Sequence, residues 1–591
     1  MGRFLLWFFA VLGVIFVILG VSVTGGVWYM AHDRTAPLPE RMALTLDFRE
    51  PISGGSRTSA LRRAIDGAPA TLHETIEAID RAAQDDRVAA LVGHFGGDVF
   101  GLATAQELRA AVLRFRATGK PALAYAESFG EFGPGNVSYY LATAFDEIWM
   151  QPIGTLGLTG IHAAVPFAAD ALDSFGVSAE FARRGAYKSA PESLTERGFT
   201  DAHREMVESL TGDLYGQLVA GIAEGRRLAA GDVRRLIDEG PWFANAAESA
   251  GLIDGLAQRD ELPDLLAEKV GDSSPPRTIG PDHYLAGRAD DDSAGTPVAV
   301  IYATGLITSG ESTDDPVFGT VTMGAETIAQ AIEDAAADDR IRAIVLRIDS
   351  GGGSAVASEI IGRAVRRAAE SDKPVVVSMA EAAASGGYWI AAYADEIVAQ
   401  PATLTGSIGV FAGKIVTADL WDDLGVNWQG VSRGQNADIW ASISPYTRDQ
   451  AEKVDGLVER LYQLFLERVA EGRDLDLQSV ERIAQGRVWT GAQALELGLV
   501  DRLGGLDVAL AAALEAAGLP ADAPVERVVF PEAPGLWREV LSLLGAPVAG
   551  SIRAATGIDQ LAPLLRRLQP LIADPSTRML HMPPIVLGTY R

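Results

Sequence analysis

The chain repeats itself once, and this repetition constrains its fold more than any other feature. "DDRVAALVGHF" at 85–95 returns as "DDRIRAIVLRI" at 338–348, an offset of 253. "FDEIWMQP" (145–152) returns as "ADEIVAQP" (394–401) at 249, and "PWFANAAESAGLID" (241–254) as "VWTGAQALELGLVD" (488–501) at 247. The slow drift implies two copies of one domain with small loop insertions, because a period of about 250 residues is far too long for a solenoid. Within the second copy, apolar runs such as "IRAIVLRID" and "KPVVVSMA" alternate with helical patterns such as "TIAQAIEDAAA" and "SEIIGRAVRRAAE". Strands that are apolar throughout and separated by amphipathic helices predict an α/β fold around a largely parallel sheet, covered on both faces.

These signals set the expected organisation. A first repeat spans 41–270 and a second 298–512. The stretch 271–297, rich in Pro, Gly, Ser and Asp, reads as a linker. Residues 513–591 form a tail with no role legible in it. At the other end, Phe4–Met30 carries no charge over 27 residues. That exceeds the roughly 20 residues needed to span a bilayer and the about 7–15 of a signal-peptide apolar region. Residues 1–31 are therefore expected to be an uncleaved transmembrane anchor. Arg3 on one side faces Arg34 and Arg41 on the other, so charge does not set its orientation.

Composition removes several classes of function. With 78 acidic against 50 basic residues the net charge is −28, which argues against a nucleic-acid partner. There is no cysteine, hence no thiolate chemistry and no disulfide. Seven scattered histidines lack ligand spacing, so neither a metal nor another cofactor is expected.

Comparing the copies with each other locates the chemistry. At an offset of 249, Ser385 and Gly386 in "EAAASGGYWIAAYA" fall on Asn136 and Val137. At the same offset Lys188 in "RRGAYKSA" falls on Ala437, and at 253 Gly352 falls on Val99. One copy thus keeps a serine and a glycine loop without the lysine; the other keeps the lysine without the serine. A serine hydroxyl becomes a competent nucleophile when a base removes its proton, and a neutral lysine can do this. An ammonium with its ordinary pKa of about 10.4 cannot. Burial would lower that value, and Arg183 and Arg184 would add repulsion if they pointed inward. Only six of the 50 basic residues are lysines, which makes one at position 188 more informative. Backbone amides at Gly352, directly after a strand, and at Gly386, directly after the serine, would suit a tetrahedral oxyanion.

Each feature has a plainer reading. Ser385 would serve as a helix N-cap, Gly351–Gly353 as a tight turn, and Lys188 as a solvated surface residue. Tyr388 and Trp389 read as core packing, and Asp349 and Glu381 as turn or cap carboxylates. The complementary loss in the two copies is what favours the catalytic reading.

At these residues the chain resembles the long, duplicated form of the SppA-type signal peptide peptidases, within the ClpP/crotonase superfold. "ASGGYWIA" (384–391), "TLTGSIGVF" (403–411), "GGSAVASE" (352–359) and "YKSAPE" (187–192) carry the likeness. It departs at Gly351, where the family commonly has proline, and at Ser193-Leu194, where it has Pro-Phe. The resemblance implies tandem ClpP/crotonase-like domains behind a transmembrane helix, with Ser385 as nucleophile and Lys188 as general base. It further implies a membrane-bound homotetramer that degrades released signal peptides and other hydrophobic peptides. That enzyme would be single-pass in the inner membrane, with its catalytic domains on the extracytoplasmic, periplasmic side. A crotonase-like acyl-CoA enzyme and a non-catalytic membrane scaffold are the alternatives.

Overall fold

The duplication is written in the strand order. In the computed structural model, which describes residues 38–55, 70–288, 295–315, 320–531, 580–581 and 586–587, each repeat builds its own parallel sheet. The first runs Arg277–Ile279, Met42–Phe48, Val88–Phe95, Ala122–Ala126, Glu147–Met150, Gly255–Leu256. The second runs Val525–Phe530, Thr296–Thr304, Ala343–Ser350, Val375–Ala384, Glu396–Ala399, Arg502–Leu503. Strand for strand the order is the same. The repeats also share a matching short antiparallel pair, Thr155–Leu156 with Trp242–Phe243 in the first and Leu404–Gly406 with Val488–Thr490 in the second.

Both sheets are apolar on two faces and are covered by helices. In the first repeat Leu44, Leu91 and Phe95 pack with Leu108 and Phe115. In the second, Ile301, Leu346 and Val377 pack with Ile332 and Ile361. Each such side chain contributes about 1.5–3 kcal/mol by leaving water. Local chemistry fixes where the helices begin. Leu72–Gln84 opens on a Thr71/Glu74 capping box, and Ser354 caps Ala355–Ala369.

Two segments differ from the sequence-based expectation. Within 271–297, Arg277–Ile279 supplies the edge strand of the first sheet, and the helix Pro281–Ala286 buries Tyr284 completely. Within 513–591, Val525–Phe530 supplies the matching edge strand of the second. Edge strands make one-sided pairings and need little apolar periodicity, so Pro- and Gly-rich flanks masked them. Phe4–Met30 and residues 532–579 lie outside the described residues. Among the described residues no helix is long and apolar enough to cross a membrane.

The repeats are joined rather than merely adjacent. Ser178–Arg184 of the first pairs antiparallel with Val410–Val416 of the second. A buried ion pair also crosses the boundary. Arg347 Nη2 donates to Glu107 Oε2 at 2.6 Å, Arg347 Nη1 donates to Ser378 Oγ, and Glu107 Oε1 accepts the Leu506 N–H. This joint brings chemistry from one copy to the other.

Candidate active site

The strand Val375–Ala384 delivers Ser385. Its N–H donates to the Gly406 carbonyl at 2.8 Å, and its carbonyl accepts from Trp389, so the chain turns directly into the helix Gly386–Ala391. Ser385 sits at φ 55°, ψ −112°, a backbone conformation that non-glycine residues rarely hold, and its side chain makes no capping hydrogen bond. Holding such a conformation costs on the order of 1–3 kcal/mol, offset by the surrounding structure. The N-cap reading therefore does not account for this hydroxyl. Its side chain points elsewhere.

It points at Lys188. The inter-repeat ribbon ends at Arg184, and the turn after it is pinned to the second repeat by the Tyr187 N–H on the Gln485 carbonyl at 2.8 Å. The fit is close enough that a Cβ on Gly486 would lie 2.6 Å from the Lys188 Cβ. From there Lys188 Nζ reaches Ser385 Oγ at 2.7 Å, with both residues at 0% exposure. The same nitrogen lies 3.0 Å from the carbonyl and 3.0 Å from the hydroxyl of Ser407.

Burial pushes the Lys188 amine well below the ordinary lysine range, because no water remains to solvate an ammonium. Arg183 and Arg184 do not supply the repulsion considered from sequence. Arg183 is paired with Glu192 and Arg184 with Asp455 and Glu459. Desolvation alone lowers the amine. A neutral amine has two N–H donors and one lone pair, and three partners surround it. With the amine neutral, the Ser407 carbonyl and hydroxyl would take the donors and the lone pair would face the Ser385 hydroxyl.

Gly386 follows the serine as expected, and a side chain there would make its neighbours shift. A Cβ there would lie 2.6 Å from Ser358 Oγ and 3.2 Å from the Gly353 nitrogen. The glycine loop is arranged differently from the expectation. Gly352, the residue singled out from sequence, directs its N–H to Ser350 Oγ at 3.1 Å, and Gly353 is the residue whose nitrogen faces Gly386. The side chain of Ser350, invisible to motif reasoning, orients the loop. Gly352–Gly353 is also a short strand, paired with Ile307 on one side and antiparallel with Leu580–His581 of the same chain on the other.

Two further groups escaped sequence reasoning. Ser407 lies in "TLTGSIGVF", a stretch that carried the resemblance but had no role attached; its φ of 51° is a clue visible only in the folded chain. Glu192 is buried beneath the lysine turn, where His203 Nδ1 (3.0 Å) and Thr200 Oγ1 (3.1 Å) meet its carboxylate beside Arg183. Burial acts to raise its pKa, but the His203 and Arg183 hydrogen bonds outweigh it and hold the carboxyl low. The Arg183 guanidinium in turn bonds the Lys188 carbonyl at 3.2 Å. Tyr388 and Trp389 are core residues, Tyr388 OH donating to the Leu499 carbonyl. Among the described residues no His/Cys/Asp/Glu group is arranged to hold a metal ion.

A desolvated amine on a serine hydroxyl, beside a strained turn and a glycine loop, is apparatus for acyl transfer. The pattern of Peptidase family S49 matches residues 114–272 and 367–520, once in each repeat. The chain belongs to that family, and it is a serine peptidase. It is 34% identical over 537 residues to Protease 4 of Salmonella typhi, covering 86% of this chain and 84% of that one. Over 501 residues it is 30% identical to the Serine protease SPPA, chloroplastic, of Arabidopsis thaliana, covering 83% and 72%. Protease 4 of Haemophilus influenzae is 31% identical over 453 residues, covering 74% and 71%. The family sets aside the acyl-CoA and non-catalytic scaffold readings.

Proposed function

We propose that this peptidase cleaves released signal peptides and similar hydrophobic peptides, with Ser385 as nucleophile and Lys188 as general base. The observation that carries the reading is the 2.7 Å contact between a buried hydroxyl and a buried, desolvated amine. Lys188 takes the Ser385 proton as Oγ bonds to the scissile carbonyl carbon. The amides of Gly386 and Gly353 receive the oxyanion. Lys188 then returns that proton to the leaving amine nitrogen, and a water deprotonated by the same lysine releases the acyl fragment. The substrate backbone pairs with Gly352–Gly353 as an added strand in the place that Leu580–His581 takes, the mode in which main-chain bonds give affinity and side-chain pockets give selectivity.

The uncharged Phe4–Met30 segment supports a single-pass anchor in the inner membrane, with the catalytic repeats on the periplasmic side and the chains assembled as a homotetramer. Substrates left in a bilayer after processing would meet such an enzyme where they reside. The test uses the full chain in lipid vesicles with a synthetic signal peptide, fragments being read by mass spectrometry. The wild type should cut within the apolar segment and Ser385→Ala should leave it intact. Equal fragmentation by both would overturn the assignment.

A further inference from the structure

The first repeat, which lacks the serine, still has a cleft where the second has its catalytic centre. A cavity of about 540 Å³ is lined by Asp98, Asn136, Val137 and Gly160. By the repeat offsets these are the counterparts of Gly351, Ser385, Gly386 and Gly409. The polar machinery there has been turned inward. Asp98 Oδ1 accepts the N–H groups of Val137 and Ser138, each at 2.9 Å, so an internal carboxylate sits on the amide that corresponds to Gly386. Asn136 Oδ1 accepts the N–H groups of Thr159 and Gly160, also at 2.9 Å. The counterpart of the nucleophile is an amide side chain and the Val137 N–H is already bonded, yet the space has not closed. Its volume lies within the range of ligand sites, about 300–1,000 Å³.

The lining says what would enter. Phe100, Leu102, Ile161, Leu214 and Leu218 make the walls apolar. The polar groups are Asp98, Asn136, whose side-chain amide also carries N–H donors, and, from the second repeat, Glu381, whose Oε1 accepts the Thr104 N–H at 2.7 Å. Burial raises both carboxyls, and no cation is among the groups acting on them. Such a site gives the carboxylate of a fatty acid no cation to pair with and offers the N–H and C=O groups of a peptide polar partners. The cavity is also continuous with the strand that carries the nucleophile. Ala382 and Leu404 in its wall are register partners, and Ala382 is three residues, about 10 Å of strand, from Ser385.

We propose that this cavity is a non-catalytic subsite that holds an apolar stretch of the same peptide whose bond lies at Ser385. The proposal rests on the peptidase assignment of Ser385. It has the silent copy retain a long, featureless substrate while the other copy cuts it. Short peptides that reach only the dyad would not use it.

The direct test uses the full-length Ser385→Ala protein and a long apolar peptide carrying a benzophenone stepped along its length. After irradiation, labels far from the scissile bond should map to residues 137, 161 and 214–218. Labels confined to the Gly352–Gly353 loop and Ser407 would overturn the subsite. Loss of cavity labelling to competing dodecanoate at concentrations below those of the unlabelled peptide would assign the cavity to lipid and overturn it too. A kinetic test needs no crosslinker. Val137→Trp, which fills the cavity, should raise the ratio of KM for the long peptide to KM for a reporter of a few residues about tenfold; an unchanged ratio contradicts the proposal. Failure of the peptidase reading shows up separately, as cleavage that survives in the Ser385→Ala protein.

Discussion

Lys188 and Ser385 are 197 positions apart, in different copies of a duplicated unit, and their side chains meet at 2.7 Å within one chain. Each copy alone is short of one reactive group. The antiparallel ribbon of Ser178–Arg184 on Val410–Val416 closes the gap, since it ends just before the lysine turn on one side and starts just after Ser407 on the other.

The proposed base must be neutral, so activity should depend on pH through Lys188. The kcat/KM for an apolar peptide should be lost as pH falls through the lowered pKa of the amine and stay high above it. Lys188→Arg should be inactive at every pH, because a guanidinium does not deprotonate in proteins. An acid limb that persists unshifted in an active Lys188→Arg protein would exclude this lysine as its source.

The same amine makes a prediction for stability. Its folded pKa is below the unfolded value of 10.5. Between the two, the unfolded chain holds one proton more than the folded chain at this site, so stability rises with pH across that window, by about 1.4 kcal/mol per unit at most. Below the folded value both states are protonated and the contribution is flat. Lys188→Met removes this dependence. Urea unfolding at several pH values should show the variant at least as stable as wild type near neutrality, with a shallower pH slope.

Ser407 is a positioning residue on these grounds. Ser407→Ala leaves the carbonyl contact but removes one of the two acceptors that orient the amine. A kcat loss of about 10–100-fold is expected, with KM little changed, since misaligned reacting groups forfeit much of the benefit of proximity. The acid limb of the pH profile should move, which a purely structural role for Ser407 would not cause.

Gly386→Ala tests the oxyanion side. The new Cβ would press on Ser358 Oγ and the Gly353 nitrogen, displacing two amides at once. A fall of about 10²–10³ in kcat is the expected size for a lost oxyanion donor, with near-UV circular dichroism unchanged.

The buried Arg347–Glu107 pair should matter for stability alone. Glu107→Ala leaves a guanidinium at 2% exposure without its carboxylate, a change that typically costs about 3–5 kcal/mol. Denaturant titration would report it, while the kcat of the remaining folded fraction should be near wild type.

Much of this architecture was legible because the sequence contains its own comparison. The offsets that align "DDRVAALVGHF" with "DDRIRAIVLRI" align the central strands of the two sheets, and the mismatch at Asn136 and Ala437 isolated Ser385 and Lys188. What was not legible is set by tertiary packing. The edge strands Arg277–Ile279 and Val525–Phe530 owe their pairing to a neighbour hundreds of residues away. Ser407 is one of many serines until the chain turns it toward Nζ. Whether Arg183 faces the lysine or Glu192 is decided by the Glu192–His203 cluster beneath it, which no local pattern announces.

The central claim is that one chain assembles its own dyad from its two copies. Full-length Ser385→Ala and Lys188→Met proteins, each verified as folded, can be assayed on an apolar peptide separately and after being refolded together. Both variants should lose about 10⁴-fold or more in kcat, and the mixture should remain as silent as its components. Turnover by either variant alone, or activity restored on mixing, would contradict it.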